Sequence, residues 1–235
     1  MAAGRCGQRR PTSGTIVVRT LPPVHLSDLP SGAPNETLMS EECACSVLAF
    51  AVVLSWSSGA GPLVVFVTDH ISVDAFDAER AAGVRRRWLF FPGSIHAPTL
   101  FLHLPELAAS VHDEFHDLTE PLQLPGCLPI SGPDVIPPLQ VRSSPADSLM
   151  VRVAGRFLAA NTILINSFQA IEPEVAMALQ QPKLGRPPMY PIGPLILANN
   201  GGGGWRIFLI FLCFPKMFAE HLFHTQQTLC RVPLK

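Results

Sequence analysis

Charged side chains are scarce in this sequence. Asp, Glu, Lys and Arg make up 15% of its 235 residues, against about 25% in a typical soluble domain. The 17 basic and 18 acidic residues give a formal net charge of −1, which excludes the strongly basic surface typical of nucleic-acid-binding proteins. Because 48% of the residues are hydrophobic, a chain of this length can bury a substantial core.

The sequence also lacks the signs of export, disulfide bonding and membrane insertion. Its cysteines are neither dense nor paired as C-x-x-C, which predicts a reducing, cytoplasmic location. No apolar segment follows the N-terminal arginines, so no secretory signal is predicted. The apolar run at residues 207–214 is far shorter than the ~20 residues of a transmembrane helix. No membrane span is therefore expected.

Motifs of common nucleotide-binding and hydrolytic sites are absent. No G-x-S-x-G elbow, Walker box or G-x-G-x-x-G sequence occurs, which argues against those nucleophiles and phosphate loops. The glycine run at residues 201–204 follows no predicted strand and is interpreted as a linker. The 24 prolines, about twice the average usage, also exclude a coiled coil or helical bundle.

A strand–helix–strand pattern occupies residues 63–91. The apolar run at residues 63–67 is rich in β-branched side chains and ends in Thr68 and Asp69, as is typical of a strand buried in a parallel sheet. Apolar and charged residues then alternate at helical spacing until Gly83, which suits a helix C-cap. A second apolar strand is predicted at residues 88–91. The pattern is a βαβ unit, so the predicted fold class is α/β.

Further elements are predicted on both sides of this unit. A strand is expected at residues 15–19, followed by a helix that begins at Ser40 and continues through residue 54. Three more helices are predicted at residues 100–111 (interrupted by Pro105), 149–160 and 171–180. A strand is predicted at 162–166 and a last regular segment at 190–197. Residues 118–145 are expected to be irregular. The predicted organisation is an unstructured leader at 1–14, one domain at 15–197 and a disordered tail at 198–235.

Asp69 is the strongest single candidate for a functional residue. It ends a predicted parallel strand, and open α/β sheets bind ligands at the carboxyl ends of their strands. An aspartate also caps a following helix well, so both interpretations stay open. His70 beside it could act as a base in an enzyme of another class, such as a hydrolase. Adjacent side chains at a strand end point apart, which argues against that use.

Two further clusters are better explained as solvated surface than as functional sites. His112 and His116, with Glu114 between them, would share one helix face, as metal ligands require. No third ligand is evident, and no metal site is predicted. The basic triplet at residues 85–87 could contact phosphate, but three arginines in a loop are usually solvated.

A series of short motifs recurs in fixed order between residues 15 and 197. They are LPPVHLSDLP (21–30), VFVTD (65–69) with DAFD (74–77), FFP (90–92), FLHLP (101–105), LPGC (124–127), INSF (165–168) and YPIGPL (190–195). Each motif is weak alone, and their combination at this spacing is specific. This stretch resembles the amino-terminal half of the plant UDP-sugar-dependent glycosyltransferases, nearest their hydroquinone (arbutin-forming) glucosyltransferase group.

The resemblance implies a part of a GT-B fold that serves plant secondary metabolism. Its Rossmann-like amino-terminal domain would bind a small phenolic acceptor, and a carboxyl-terminal domain would bind the donor UDP-glucose. A histidine would deprotonate the acceptor, and an aspartate, here Asp69, would orient that histidine. Inverting transfer of glucose would then proceed without a metal or other cofactor. Phe91 and Ser94 are expected to line the acceptor pocket.

The departures from the family pattern are large. The first two strands and the catalytic histidine that follows the first of them have no counterpart before residue 15, and the donor-binding box is absent after residue 197. Gly93 stands where the family has a hydroxyl residue. The sequence therefore predicts an incomplete Rossmann-like domain, inactive alone, with a gap in its sheet and possible self-association through exposed edges. A noncatalytic small-molecule-binding or interaction fragment is the alternative.

Overall fold

The architecture is a parallel sheet whose strands are connected by helices. The computed structural model describes residues 18–19, 21, 24–26, 33, 35–58, 65–181, 183–193 and 229–230. In chain order the elements are β1 (Val18–Arg19), α1 (Asn35–Ser58), β2 (Phe66–Asp69), α2 (Ala75–Ala81), β3 (Arg87–Phe91), α3 (His96–Ser110), α4 (Pro137–Gln140), α5 (Pro145–Phe157), β4 (Thr162–Ile165), α6 (Pro173–Gln180), β5 (Met189–Pro191) and β6 (Leu229–Cys230). Two 3-10 turns, Phe115–Asp117 and Gly132–Asp134, lie between α3 and α4.

The sheet contains β2, β3, β4 and β5, all parallel and in that order. The first three consist largely of apolar, β-branched and aromatic residues, which suit strands covered on both faces. Paired residues at their carboxyl ends are Asp69 and Phe90, Phe91 and Ile165, and Ile165 and Pro191. The carboxyl ends therefore meet at one edge of the sheet, and the predicted α/β class is confirmed.

The predicted βαβ unit is present. α2 connects β2 to β3, and Gly83 beyond its end has a φ of 72°. This left-handed conformation favours glycine, as the sequence pattern indicated. The second strand begins at Arg87, one residue before its predicted start.

Two helices begin earlier than predicted. α1 begins at Asn35 instead of Ser40. Ser40 is buried, and its hydroxyl accepts a hydrogen bond from Arg152 of α5 at 2.9 Å instead of capping the helix. α3 begins at His96 instead of residue 100 and continues through Pro105. Its first turn is held by a side chain from outside the helix, described below.

α5 begins four residues before its predicted start, and here the cause is local. The Ser144 hydroxyl accepts a hydrogen bond from the backbone N–H of Asp147 at 3.1 Å. Pro145 occupies the first helical position, where its missing N–H has no consequence. Ser-Pro-x-Asp is a readable helix-start signal that the sequence analysis overlooked.

The segment at residues 118–145 is more regular than predicted. Leu122 and Ile130 form an antiparallel bridge, and a 3-10 turn and α4 follow. The Arg142 guanidinium donates a hydrogen bond to the Ala108 carbonyl at 2.9 Å and lies 5.1 Å from the centre of the Phe115 ring. This side chain thereby attaches the segment to the C-terminal turn of α3.

Aromatic side chains pack together against the sheet's first strands. The rings of Phe101 and Phe157 stack with centres 5.2 Å apart, and Phe91 lies 6.2 and 6.4 Å from them. Phe50 of α1 lies 5.3 Å from Phe66 of β2. The last residue of β3 is thus fixed by α3 and α5, whereas β2 packs against α1.

α1 contains the stretch Thr37–Ser55, which is long and apolar enough to cross a membrane, with a mean hydropathy of 1.7. The sequence prediction that no such segment occurs considered residues 207–214 and missed this helix. A core helix of a globular domain meets the same two criteria. Phe50 and Leu54 of α1 are buried in the core, whereas Leu48 is 80% exposed.

β1 does not join the parallel sheet. It pairs antiparallel with β6 through Val18 with Cys230 and Arg19 with Leu229. Within the described residues, β2 has a neighbouring strand on one side only, at the edge where the sequence predicts a gap. The predicted leader at 1–14 and the predicted tail, apart from β6, lie outside the described residues. Self-association through this edge stays a prediction.

Candidate functional site

Asp69 lies at the carboxyl edge of the sheet as the last residue of β2. It is 8% exposed, and its Oδ1 accepts hydrogen bonds from the backbone N–H groups of Ile71 at 2.9 Å and Ser72 at 2.8 Å. The carboxylate therefore closes the turn after β2. It does not cap α2 directly, because that helix begins at Ala75 with Asp74 in the capping position.

The carboxylate of Asp69 has a raised pKa and no ion-pair partner among the described residues. Burial raises its pKa from 3.8 to about 6, although hydrogen bonds from Ser72 and Ile71 lower it in part. Within the described residues no cationic side chain forms an ion pair with this carboxylate. At pH 7 the group is mostly ionised, so a cation placed beside it would be stabilised.

His70 packs its ring against Phe91, with ring centres 4.7 Å apart. Its Nδ1 is buried and has no hydrogen-bond partner in the described part of the chain. Burial lowers the pKa of His70 from 6.5 to about 4, so the imidazole is neutral at pH 7. An efficient general base has a pKa near the working pH. His70 is therefore unsuited to the role that the hydrolase alternative requires.

Phe91 and Ser94, the two predicted acceptor-pocket residues, lie at the end of β3 and in the loop after it. Phe91 is buried and ends the strand next to β2, whereas Ser94 is exposed. A Cβ at Gly93 would lie 3.4 Å from the Phe91 ring, an ordinary contact distance. The structure therefore has room for a Cβ at this position, where the resemblance implies a hydroxyl residue.

Sequence reasoning missed the buried carboxylate of Glu172, which it used only as a helix start. Both of its oxygens lie 2.9 Å from the backbone nitrogen of Ile95, and Oε1 lies 3.4 Å from that of His96. The Ser167 hydroxyl donates a hydrogen bond to Oε2. Glu172 thus holds the first turn of α3, which explains the early start of that helix. No local sequence signal reveals a partner 77 residues away.

The remaining sequence candidates are placed apart from this edge. His112 lies in a loop beyond α3, and His116 in a 3-10 turn, where its Nδ1 is 2.9 Å from the Gln140 carbonyl oxygen. The two do not share a helix face. Arg87 pairs with Glu79 at 3.3 Å. In the described part of the chain, no group of three or more potential metal-ligating side chains occurs.

Comparison with curated proteins shows which family shares this sequence. UDP-glycosyltransferase 72B1 of Arabidopsis thaliana is 38% identical over 177 residues, which are 75% of this chain and 37% of that protein. The hydroquinone glucosyltransferase of Rauvolfia serpentina is 37% identical over 180 residues, 77% of this chain and 38% of its own length. The chain thus spans less than two fifths of these relatives. No protein-family model matches it.

Solved structures show the same relationship in three dimensions. A UDP-glucosyltransferase from Polygonum tinctorium, described as capable of glucosylating indoxyl and solved in complex with 3,4-dichloroaniline, has a TM-score of 0.73 and 37% identity over 77% of this chain and 40% of its own. UGT2 of Phytolacca americana, solved with UDP-2-fluoro-glucose and pterostilbene, has a TM-score of 0.71 and 31% identity over 75% of this chain and 40% of its own. These matches confirm the predicted Rossmann-like part of a GT-B fold. Over its matched residues, the chain belongs to the plant family of UDP-glycosyltransferases.

Proposed function

We propose that this domain binds a small phenolic acceptor for glucosyl transfer from UDP-glucose, at the carboxyl edge of its sheet beside Phe91. The relatives support the substrate class, since one is a hydroquinone glucosyltransferase and a matched structure holds the phenol pterostilbene. The location is supported by the general rule that open α/β sheets bind ligands outside the carboxyl ends of their strands.

The observation that carries this proposal is the buried carboxylate of Asp69. It ends a parallel strand, its pKa is raised by burial, and it has no cationic partner within the described residues. By contrast, the buried carboxylate of Asp147 lies near an arginine, Arg142, at 3.8 Å. A desolvated carboxylate without a cation is suited to stabilise a charge that forms only during a reaction.

In the transfer reaction that charge would be an imidazolium. A histidine removes the proton from the phenolic hydroxyl, the oxygen attacks the anomeric carbon of glucose, and the bond to UDP breaks with inversion. Asp69 would orient the histidine and stabilise its protonated form, as acids do in other base–orienter pairs. Oδ1 already accepts two backbone hydrogen bonds, so the carboxylate is held in a fixed direction.

The 235 residues do not contain all the groups that this reaction needs. No His-Cys-Gly-Trp-Asn-Ser donor box occurs, and no glycine-histidine turn follows an early strand. His70 does not replace the missing base, because its pKa lies far below neutrality. We therefore expect acceptor binding without turnover by this chain, which is also the outcome of the noncatalytic alternative.

Binding is tested by titrating the isotope-labelled chain with hydroquinone and following backbone amide shifts. We expect saturable shifts at residues 70, 91, 93 and 94, with cyclohexane-1,4-diol as a non-aromatic control that produces none. If hydroquinone shifts no residue of this edge, the assignment of the site is wrong.

Turnover is tested by incubating the purified chain with UDP-glucose and hydroquinone and following UDP release. We expect no release above a boiled control, and sustained turnover would contradict the expectation of inactivity.

The role of Asp69 is tested in a chimera that adds the missing strands and donor domain of a relative to residues 15–197. Asp69→Asn should lower its kcat at least ~10²-fold, whereas Asp147→Asn should leave kcat within about twofold.

A further inference from the structure

The carboxylate of Glu172 connects three separate segments of the fold. Glu172 directly precedes α6 and is 7% exposed. Its oxygens accept hydrogen bonds from the N–H groups of Ile95 and His96 at the start of α3, and from the Ser167 hydroxyl in the loop after β4. These contacts bridge the ends of β3 and β4, which are neighbours in the sheet.

α3 depends on this distant side chain because its own sequence provides no cap. The residue in the capping position is the apolar Ile95, no side chain there bonds the first turn, and that turn contains no acidic residue. The first N–H groups of a helix need acceptors and favour a negative charge. Glu172 supplies both from across the sheet.

The loop at residues 92–94 is held at its two ends as a result. On one side, the Phe91 carbonyl accepts a hydrogen bond from the Asn166 N–H at 2.8 Å within the sheet. On the other side, Ile95 is 1% exposed and its N–H is bound by Glu172. Only three residues lie between these fixed points, and among them Ser94 is exposed at the carboxyl edge. The position of this loop relative to Phe91 is therefore set by Glu172.

We infer that Glu172 is a positioning residue for the acceptor site: it fixes the loop at residues 92–94, here named the acceptor loop, against Phe91. The inference rests on the proposed function, because it gives the loop an acceptor to bind. Glu172 acts through the loop and does not itself touch the ligand. Loss of its charge should loosen the loop and weaken phenol binding while the sheet remains intact.

The test compares Glu172→Gln with Asp147→Asn in the full chain. Glu172→Gln preserves the size of the side chain and one carbonyl oxygen but removes the charge. Asp147 is a matched control, since it is a buried acid in the first turn of α5. Its partner Arg142 bonds the C-terminal turn of α3, and the 15 residues of that helix place this contact about 20 Å from Ile95.

Three quantities are measured for each variant: the urea midpoint, the hydroquinone Kd, and the amide signals of Gly93 and Ser94. We expect Glu172→Gln to weaken hydroquinone binding about tenfold and to shift or broaden both amides even without ligand. Both variants should lower the urea midpoint by similar amounts. Asp147→Asn should nevertheless leave the Kd and both amide signals unchanged. Should Glu172→Gln not fold, Ser167→Ala, which removes one donor to the carboxylate, is expected to act in the same direction.

Each other outcome overturns the inference. An unchanged Kd in a folded Glu172→Gln or Ser167→Ala variant means that the carboxylate has no positioning role. Equal weakening by Asp147→Asn means that the effect is general destabilisation. If the unmodified chain does not bind hydroquinone, the proposed function fails first, and the acceptor role of the loop fails with it.

Discussion

The carboxyl edge of the sheet has two ends that differ in how their polar groups are satisfied. At the β2–β3 end, Asp69 bonds only its own turn, His70 has an unpartnered Nδ1, and Gly93 has space around it. At the β4–β5 end, Glu172 accepts hydrogen bonds from three groups, and Gly193 has no space for a side chain. Under the proposed function, the β2–β3 end, here called the open end, would bind the acceptor, and the β4–β5 end would fix the geometry around it.

The largest expected difference between the two ends is steric. A Cβ at Gly193 would lie 2.6 Å from Asn166 Oδ1 and 2.8 Å from the Ser167 nitrogen, whereas one at Gly93 would meet only the Phe91 ring at 3.4 Å. Gly193→Ala should therefore lower the free energy of unfolding by about 3 kcal/mol. Gly93→Ala should change it by less than ~0.5 kcal/mol. Urea unfolding of both variants measures the difference, and equal effects would contradict it.

The second difference concerns pH, because two neighbours at the open end titrate in opposite senses. The pKa of Asp69 is raised from 3.8 to about 6 in the folded chain, so this group stabilises the fold fully below about pH 4 and loses that contribution as pH rises to 6. The pKa of His70 is lowered from 6.5 to about 4, so its contribution is present above pH 6.5 and is lost on acidification. Each contribution is on the order of 3 kcal/mol.

Because the two contributions nearly cancel, stability should vary little between pH 4 and 6.5 as far as this pair is concerned. Asp69→Asn removes one of them, and the variant should become less stable than the parent as the pH falls through this window. His70→Phe removes the other and should become relatively more stable as the pH falls. Urea midpoints at several pH values give both slopes, and parallel profiles for the two variants would show that the groups are not desolvated as described.

A third difference is that the helix following the open end is attached by partly exposed ion pairs. Asp74 before α2 lies 2.7 Å from Arg152 and 3.3 Å from Arg156, both on α5, and Arg152 also bonds Ser40. Arg152 is 45% exposed, so solvent screens much of this attraction. A double-mutant cycle of Asp74→Asn and Arg152→Ala should give a coupling free energy of about 1 kcal/mol. A coupling near zero would mean that the Asp74–Arg152 pair does not help to hold α2.

The separation in sequence between interacting residues explains which elements could be predicted from the sequence. The sequence correctly predicted β2, β3, β4 and the position of Asp69 at a strand end. Each of these strands is a continuous apolar run, which is a local signal in the sequence. The start of α3 was not predicted, because it depends on Glu172 meeting Ile95. These two residues are 77 apart in sequence, and Arg152 and Ser40, whose contact takes Ser40 out of a capping role, are 112 apart, so only the fold brings either pair together.

Local signals were informative where the partner was close in sequence, and in one case they were overlooked. Gly83 was predicted as a C-cap and has the expected positive φ. Ser144 and Asp147 cap α5 within four residues, yet the sequence analysis began that helix later. The apolar length of α1 is visible in the sequence as well, although the prediction that no membrane span occurs rested on residues 207–214.

The smallest expected effect separates binding from stability at the open end. Ser94 is exposed, and no hydrogen bond joins its side chain to another described residue, so Ser94→Ala should change the free energy of unfolding by less than ~0.5 kcal/mol. If its hydroxyl contacts the bound phenol, the loss of one hydrogen bond, about 1 kcal/mol, should raise the hydroquinone Kd roughly fivefold. Ser110→Ala serves as the control, because Ser110 is an exposed serine at the other end of α3. A Kd that is the same in both variants would place the acceptor away from the acceptor loop, even if hydroquinone still shifts the amides near Phe91.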